Sequence, residues 1–122
     1  MKPLLFIACF ALAACASLPS GAVAGPSAGL GETATVGTLR IRPLSVVEDS
    51  RCPINARCIW AGRMILRAEI RSRGRAVTRD LTLGEPIAYE GGRLSLSAAE
   101  PGRTAGRPTA TNAYLFTFQY ER

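Results

Sequence analysis

The chain has 122 residues, room for one domain at the usual ~100–200 residues per domain. Hydrophobic content of 48% rules out a disordered polyelectrolyte, and the complete lack of histidine removes the commonest general base and metal ligand together. These figures exclude a large enzyme, a histidine-ligated metalloprotein and a polytopic membrane protein.

Met1 and Lys2 form a short positive start, and an apolar run follows over residues 3–14. That run is too short for a ~30 Å hydrocarbon core, which needs about 20 residues, so it reads as a signal peptide. Two cleavage sites compete. Leu12, Ala13, Ala14 and Cys15 look like the lipobox of bacterial lipoproteins, in which the Cys15 thiol carries diacylglycerol. Ala22-Val23-Ala24 before Gly25 instead fits ordinary secretion with a small-x-small site.

On the first reading, residues 1–14 are the leader and 15–30 an uncharged Ser/Gly/Ala/Pro tether with an r.m.s. reach of roughly 20 Å. Residues 31–122 are then the folded domain. Similarity to lipoproteins implies outer-membrane sorting in a two-membrane bacterium, because Ala16 rather than aspartate follows Cys15. On the second reading the protein is periplasmic or secreted. Setting aside residues 1–30 leaves 122 − 30 = 92, close to the lower limit for a core without a covalent staple.

That staple is available. With Cys9 discarded and Cys15 acylated, Cys52 and Cys58 remain, and an exported pair predicts a disulfide. The C-x5-C spacing is not that of a redox motif, and neither a second thiol pair nor a histidine exists to complete a tetrahedral metal site. No metal and no cofactor are expected.

Past the tether, helical periodicity never persists, whereas period-two alternation does. Strands are predicted over residues 33–36, 39–47, 63–71 and 76–83, then around Leu94 and Leu96, and over 114–120. In the cleanest, Met64, Leu66, Ala68 and Ile70 face the core, and Arg63, Arg67, Glu69 and Arg71 face out. Gly74 makes the following hairpin turn, and Val77, Leu81 and Leu83 return inward, with Arg79 breaking the pattern. Residues 98–111 read as a mobile or functional Pro/Gly/Thr loop. The alternating Tyr114, Phe116, Phe118 and Tyr120 read as core. Six or seven short strands predict an all-β domain, a small antiparallel sandwich or barrel.

Lys2 is the only lysine, so the mature charge of 14 − 9 = +5 comes from arginine. Arg63, Arg67, Arg71, Arg73, Arg75 and Arg79 crowd one stretch, either as an anion-binding strip or as the solvated face of a hairpin. No aromatic interleaves them between Ala61 and Ile87, so nucleic acid is not the expected partner.

Residues 47–62 are the distinctive segment. Asp49-Ser50-Arg51-Cys52-Pro53, then Cys58, Trp60 and Gly62, resemble the D-S-R-C-P-x4-C-x-W-x-G signature of a family of small exported bacterial proteins, many of them predicted lipoproteins. The resemblance implies an exported, β-rich domain and brings no catalytic residues with it. Read physically, Pro53 tightens the loop, Trp60 covers the bridge, Gly62 allows a close approach, and Arg51 pairs with Asp49 or Glu48. Alternatively Ser50, Arg51 and Trp60 form a recognition surface.

Catalysis is not expected. Ser50 has no histidine to pair with and no lysine in the mature chain, and Glu48 and Asp49 point to opposite faces of a strand. The expected function is that of a non-catalytic envelope lipoprotein, held to the membrane by its N-terminal lipid and binding an envelope protein or other component. The alternatives are a secreted or periplasmic inhibitor or chaperone-like factor acting through the Cys52–Cys58 loop, and a module binding a glycan or lipid anion through Arg63, Arg67 and Arg71.

Overall fold

The computed structural model describes residues 25–122. The expected leader, the candidate lipid-bearing Cys15 and the expected tether up to residue 24 lie outside the described residues. Eight strands follow in order: β1 (Ser27–Ala28), β2 (Ala34–Val36), β3 (Leu39–Asp49), β4 (Met64–Ser72), β5 (Arg75–Thr82), β6 (Ile87–Tyr89), β7 (Gly92–Glu100) and β8 (Leu115–Glu121). A single 3-10 turn, Thr111–Ala113, precedes β8. Two four-stranded antiparallel sheets, ordered β2-β3-β4-β5 and β1-β8-β7-β6, pack face to face as a small sandwich.

The alternation explains the layering. Met64, Leu66, Ala68 and Ile70 of β4 are fully buried and meet Leu94, Leu96, Phe116 and Phe118 of the other sheet in one core. At ~25 cal/mol per Å² of apolar surface removed from water, these side chains supply most of the drive to fold. Tyr114 stacks on Phe116 with ring centroids 5.5 Å apart, so the aromatic stripe is core as expected.

Turn chemistry sets the hairpins. Arg73 and Gly74 both take positive φ (52° and 75°) in the two-residue β4–β5 turn, as do Glu90 and Gly91 between β6 and β7 (45° and 76°). Positive φ at both central positions is the geometry that matches the strands' right-handed twist.

The expectations fail where alternation does. β3 continues to Asp49 through two bulges, between Pro43 and Ser45 and between Val46 and Glu48. Each leaves one residue unpaired: Leu44 is exposed as the period requires, but the slip there turns Ser45 outward and Val46 inward, and at the second bulge Val47 faces solvent. Pro43, which cannot donate to a ladder, sits at the first bulge. β7 also runs on to Glu100, taking Ala98 and Ala99 out of the expected loop.

In β5, Leu81 is buried and Leu83 just beyond it half-buried, but Val77 is 39% exposed. Val77 pairs with Ile70 and Arg79 with Ala68, so both lie on the core-facing side of β5, an edge strand, yet both are exposed. A charged residue on that side discourages edge-to-edge pairing.

Residues 27 and 28, assigned to a tether by the sequence, belong to the sandwich. Ser27 and Ala28 pair with Thr117 and Phe116, Ala28 is buried, and Phe118 N–H donates to Pro26 O at 3.1 Å.

Candidate functional site

The β3–β4 connection, residues 50–63, is long, yet it is tied at every level. Its neck continues the ladder, with Ser50 N–H donating to Arg63 O at 2.8 Å and Cys52 N–H to Ala61 O at 3.0 Å. The Ser50 hydroxyl accepts from Arg63 N–H at 3.1 Å. Beyond the neck, the Cys52–Cys58 disulfide, with Cα atoms 5.8 Å apart, closes the loop. Chain entropy for a closed loop of about seven residues stabilises by roughly 2–2.5 kcal/mol. Ala56 N–H donates to Pro53 O at 3.1 Å, making a turn inside the ring. Gly62 takes φ 69°, and a Cβ on it would lie 1.8 Å from Ser50 O. This is the close approach expected there.

Arg51 holds the loop to the sandwich. Its Nε and Nη2 donate to the two Asp49 carboxylate oxygens at 2.8 and 3.0 Å, its Nη1 to Ala99 O at 2.8 Å, and its Nη2 also to Pro101 O at 3.0 Å. The Tyr114 hydroxyl donates to Asp49 Oδ2 at 2.9 Å. Burial pushes the Asp49 carboxyl up, but the Arg51 and Tyr114 hydrogen bonds outweigh it and leave it below the usual carboxylate range. Tyr114 is pushed up, first by burial and then by its bond to the Asp49 carboxylate. The Asp49 bond raises the Arg51 guanidinium further still. With side chains only 15% and 9% exposed and these donors engaged, Arg51 and Asp49 act as an internal clamp.

A second loop, residues 101–110, seals the first. Arg103 Nη1 donates to Arg51 O, Ile54 N–H to Arg103 O, and Ala105 N–H to Asn55 Oδ1, each at 2.8 Å. The two loops that were the candidate functional segments are therefore one braced unit.

That unit presents three large apolar side chains beside the exposed Asn55 and Arg57. Ile54 is 77% exposed, Ile59 fully exposed and Trp60 68% exposed. Trp60 therefore does not close over the bridge as expected. Of the three residues expected to form a recognition surface, only Trp60 remains free to do so. Ser50 and Arg51 are half-buried and occupied in holding the loop. Ile54 and Ile59 were not anticipated, though two isoleucines around a small disulfide ring, where turn residues are usually polar, were a visible signal.

The arginine strip has a different character from the one expected. Arg63, Arg67 and Arg71 do share the outer face of the β2–β5 sheet. Each meets a carboxylate: Arg63 with Glu48, Arg67 with Asp80 at 3.0 Å, and Arg71 with Glu69 at 2.6 Å. Their charges are largely answered locally, and exposed pairs of this kind add little to stability. Among the described residues no group of three or more Cys, Asp or Glu is placed to hold a metal ion.

No family model, curated protein or solved structure matches the chain.

Proposed function

We propose that this is an exported, non-catalytic binding domain that docks on a protein partner through the apolar tip of its braced loop. The observation that carries the reading is the exposure of Ile54, Ile59 and Trp60 on one disulfide-closed, hydrogen-bonded loop. Burying each of these side chains in a partner is worth roughly 1.5–3 kcal/mol. Because the loop is already ordered, little of that gain is lost to immobilising it. Tryptophan is also the residue most enriched among interface anchors.

The setting rests on the leader. In the lipoprotein form, Cys15 carries lipid and the domain works tethered in the envelope, at the outer membrane. In the alternative form, cleavage after Ala24 frees an inhibitor or chaperone-like factor that uses the same tip. The absence of histidine, and of any lysine after Lys2, favours binding over catalysis. An anion-binding role for Arg63, Arg67 and Arg71 is disfavoured by their carboxylate partners.

The test is the native complex. Protein extracted in mild detergent from its own membrane fraction is expected to elute as a species larger than the monomer. The Ile59→Ser, Trp60→Ala double variant is expected to elute as a monomer with unchanged melting. A complex retained by that variant would remove the tip from the account. Intact mass decides between the two settings: a species starting at Cys15 with a diacylglyceryl adduct, or one starting at Gly25 without lipid.

A further inference from the structure

The two ends of the sandwich differ in chemistry, and the chain enters at only one of them. β3, with 11 residues, separates the ends by roughly 30 Å. The braced apolar tip lies at one end. At the other, Gly25 lies against Phe118 O, and Pro26 O accepts from Phe118 N–H. The same end carries the Gly37 turn, which approaches Tyr120, and the β4–β5 and β6–β7 hairpins, which Ser72 Oγ and Glu90 Oε2 join at 2.6 Å.

The entry end is strongly basic. Arg40 sits directly across from Arg71, and the adjoining turn adds Arg73 and Arg75. Like charges placed opposite each other oppose sheet formation, so this arrangement is stable to the extent that an anion or water relieves it. Arg40, Arg73 and Arg75 make no ion pair among the described residues, whereas Arg71 has Glu69. Arg40 and Arg71 line two adjoining shallow hollows of ≈ 280 Å³ each, one shared with Arg42 and Glu69, the other with Arg73 and Arg75. The acids at this end are few. Glu69 is held by Arg71, Glu90 accepts from Ser72, and Glu121 lies across from Arg93.

We propose that this end, through Arg40, Arg73 and Arg75, docks on the phosphate groups of an anionic lipid surface, so that the apolar tip points away from the membrane. Guanidinium forks match phosphate oxygens, and a basic cluster within a Debye length of about 10 Å of charged headgroups is drawn to them. The position of Gly25 supplies the second argument. Cys15 and Gly25 are ten Cα-to-Cα steps apart (25 − 15), and such a segment spans at most ~35 Å. A lipid on Cys15 therefore pulls on the domain at this end, where the chain enters, and the basic cluster decides which face meets the bilayer. The proposal takes its setting from the tethered reading but does not depend on a role for Trp60.

The test uses the chain beginning at Gly25, the unacylated mature form, which contains every described strand. It is sedimented with phosphatidylcholine vesicles with and without phosphatidylglycerol. Binding is expected only with phosphatidylglycerol, with release at high salt. At ~5-fold per basic side chain near an anionic surface, Arg40→Glu with Arg75→Glu weakens binding about 25-fold or more. Arg57→Glu with Arg107→Glu changes net charge equally but acts at the tip end, and is expected to leave most binding intact. Equal loss in the two pairs, no binding to phosphatidylglycerol, or equal binding to phosphatidylcholine would each overturn the proposal. Because Cys15 is absent, none of these outcomes depends on whether the native protein is acylated, and Trp60→Ala is expected to sediment as the parent does.

Discussion

Gly62 lies so close to Ser50 that a Cβ on the glycine would come within 1.8 Å of the Ser50 carbonyl oxygen. The neck of the braced loop is therefore built on a missing side chain, at a φ of 69° that other residues adopt only with strain. Gly62→Ala is expected to destabilise the domain by about 3 kcal/mol or more, because backbone on both sides must move. Denaturant unfolding measures this directly. Gly74→Ala, where a Cβ meets nothing within 4 Å, is the comparison, with only the smaller cost of positive φ.

The Arg51 clamp predicts a charge requirement with a defined shape. Arg51→Met leaves the Asp49 carboxylate half-buried and frees the carbonyls of Ala99 and Pro101, for an expected loss of about 2–4 kcal/mol. Arg51→Lys is expected to recover little, since an ammonium cannot reach both carboxylate oxygens and two carbonyls at once. Chemical melts of the two variants, with protease sensitivity of residues 98–111 alongside, distinguish this from a generic need for positive charge.

The same network sets a pH dependence. Asp49 has a folded-state pKa below its unfolded value, so its contribution is complete above the unfolded value of ~3.9 and is lost as pH falls through the folded one. Tyr114 has a raised pKa, so its contribution is complete below ~10 and is lost as pH rises through the folded value. The stability difference between the native chain and Asp49→Asn should therefore shrink in acid, below about pH 4. That between the native chain and Tyr114→Phe should shrink in base, above about pH 10, and also in acid, where protonation of Asp49 removes the charge that the Tyr114 hydroxyl bonds. A difference that is flat across either window contradicts the respective assignment.

Much of this was legible in the sequence because it followed from a simple period. Met64, Leu66, Ala68 and Ile70 had only one way to face, and Arg63, Arg67 and Arg71 had to take the opposite side. The disulfide and the Gly62 approach were legible from residue type and spacing. The bulges at Leu44 and Val47 were not, because a bulge is a mismatch between two strands and appears in neither alone. The two-residue β1 and three-residue β6 are too short to carry a period at all. The exposure of Trp60 depends on where the loop settles against residues 101–110, and that is decided by contacts between Arg51 and Arg103, which lie 52 residues apart in sequence.

Reducing the bridge tests how far the tip depends on its brace. Cys52→Ala with Cys58→Ala is expected to lower stability by about 2–2.5 kcal/mol while the sandwich still forms, because no core side chain is altered. Its far-UV dichroism should match that of the parent. Proteolytic cleavage within residues 50–63 should become faster than in the parent, since the ring that holds them is open. Loss of the whole fold in this variant would mean that the bridge supports the core and not only the loop.

The central claim, that the braced tip is the docking surface, is tested most directly by a photo-crosslinking residue placed at position 60 in cells producing the full chain. The account predicts one discrete adduct with another envelope protein from position 60, and none from position 78 on the exposed face of β5. Crosslinking that is equal at the two positions, or absent at position 60 in cells where the protein is exported and folded, would contradict it.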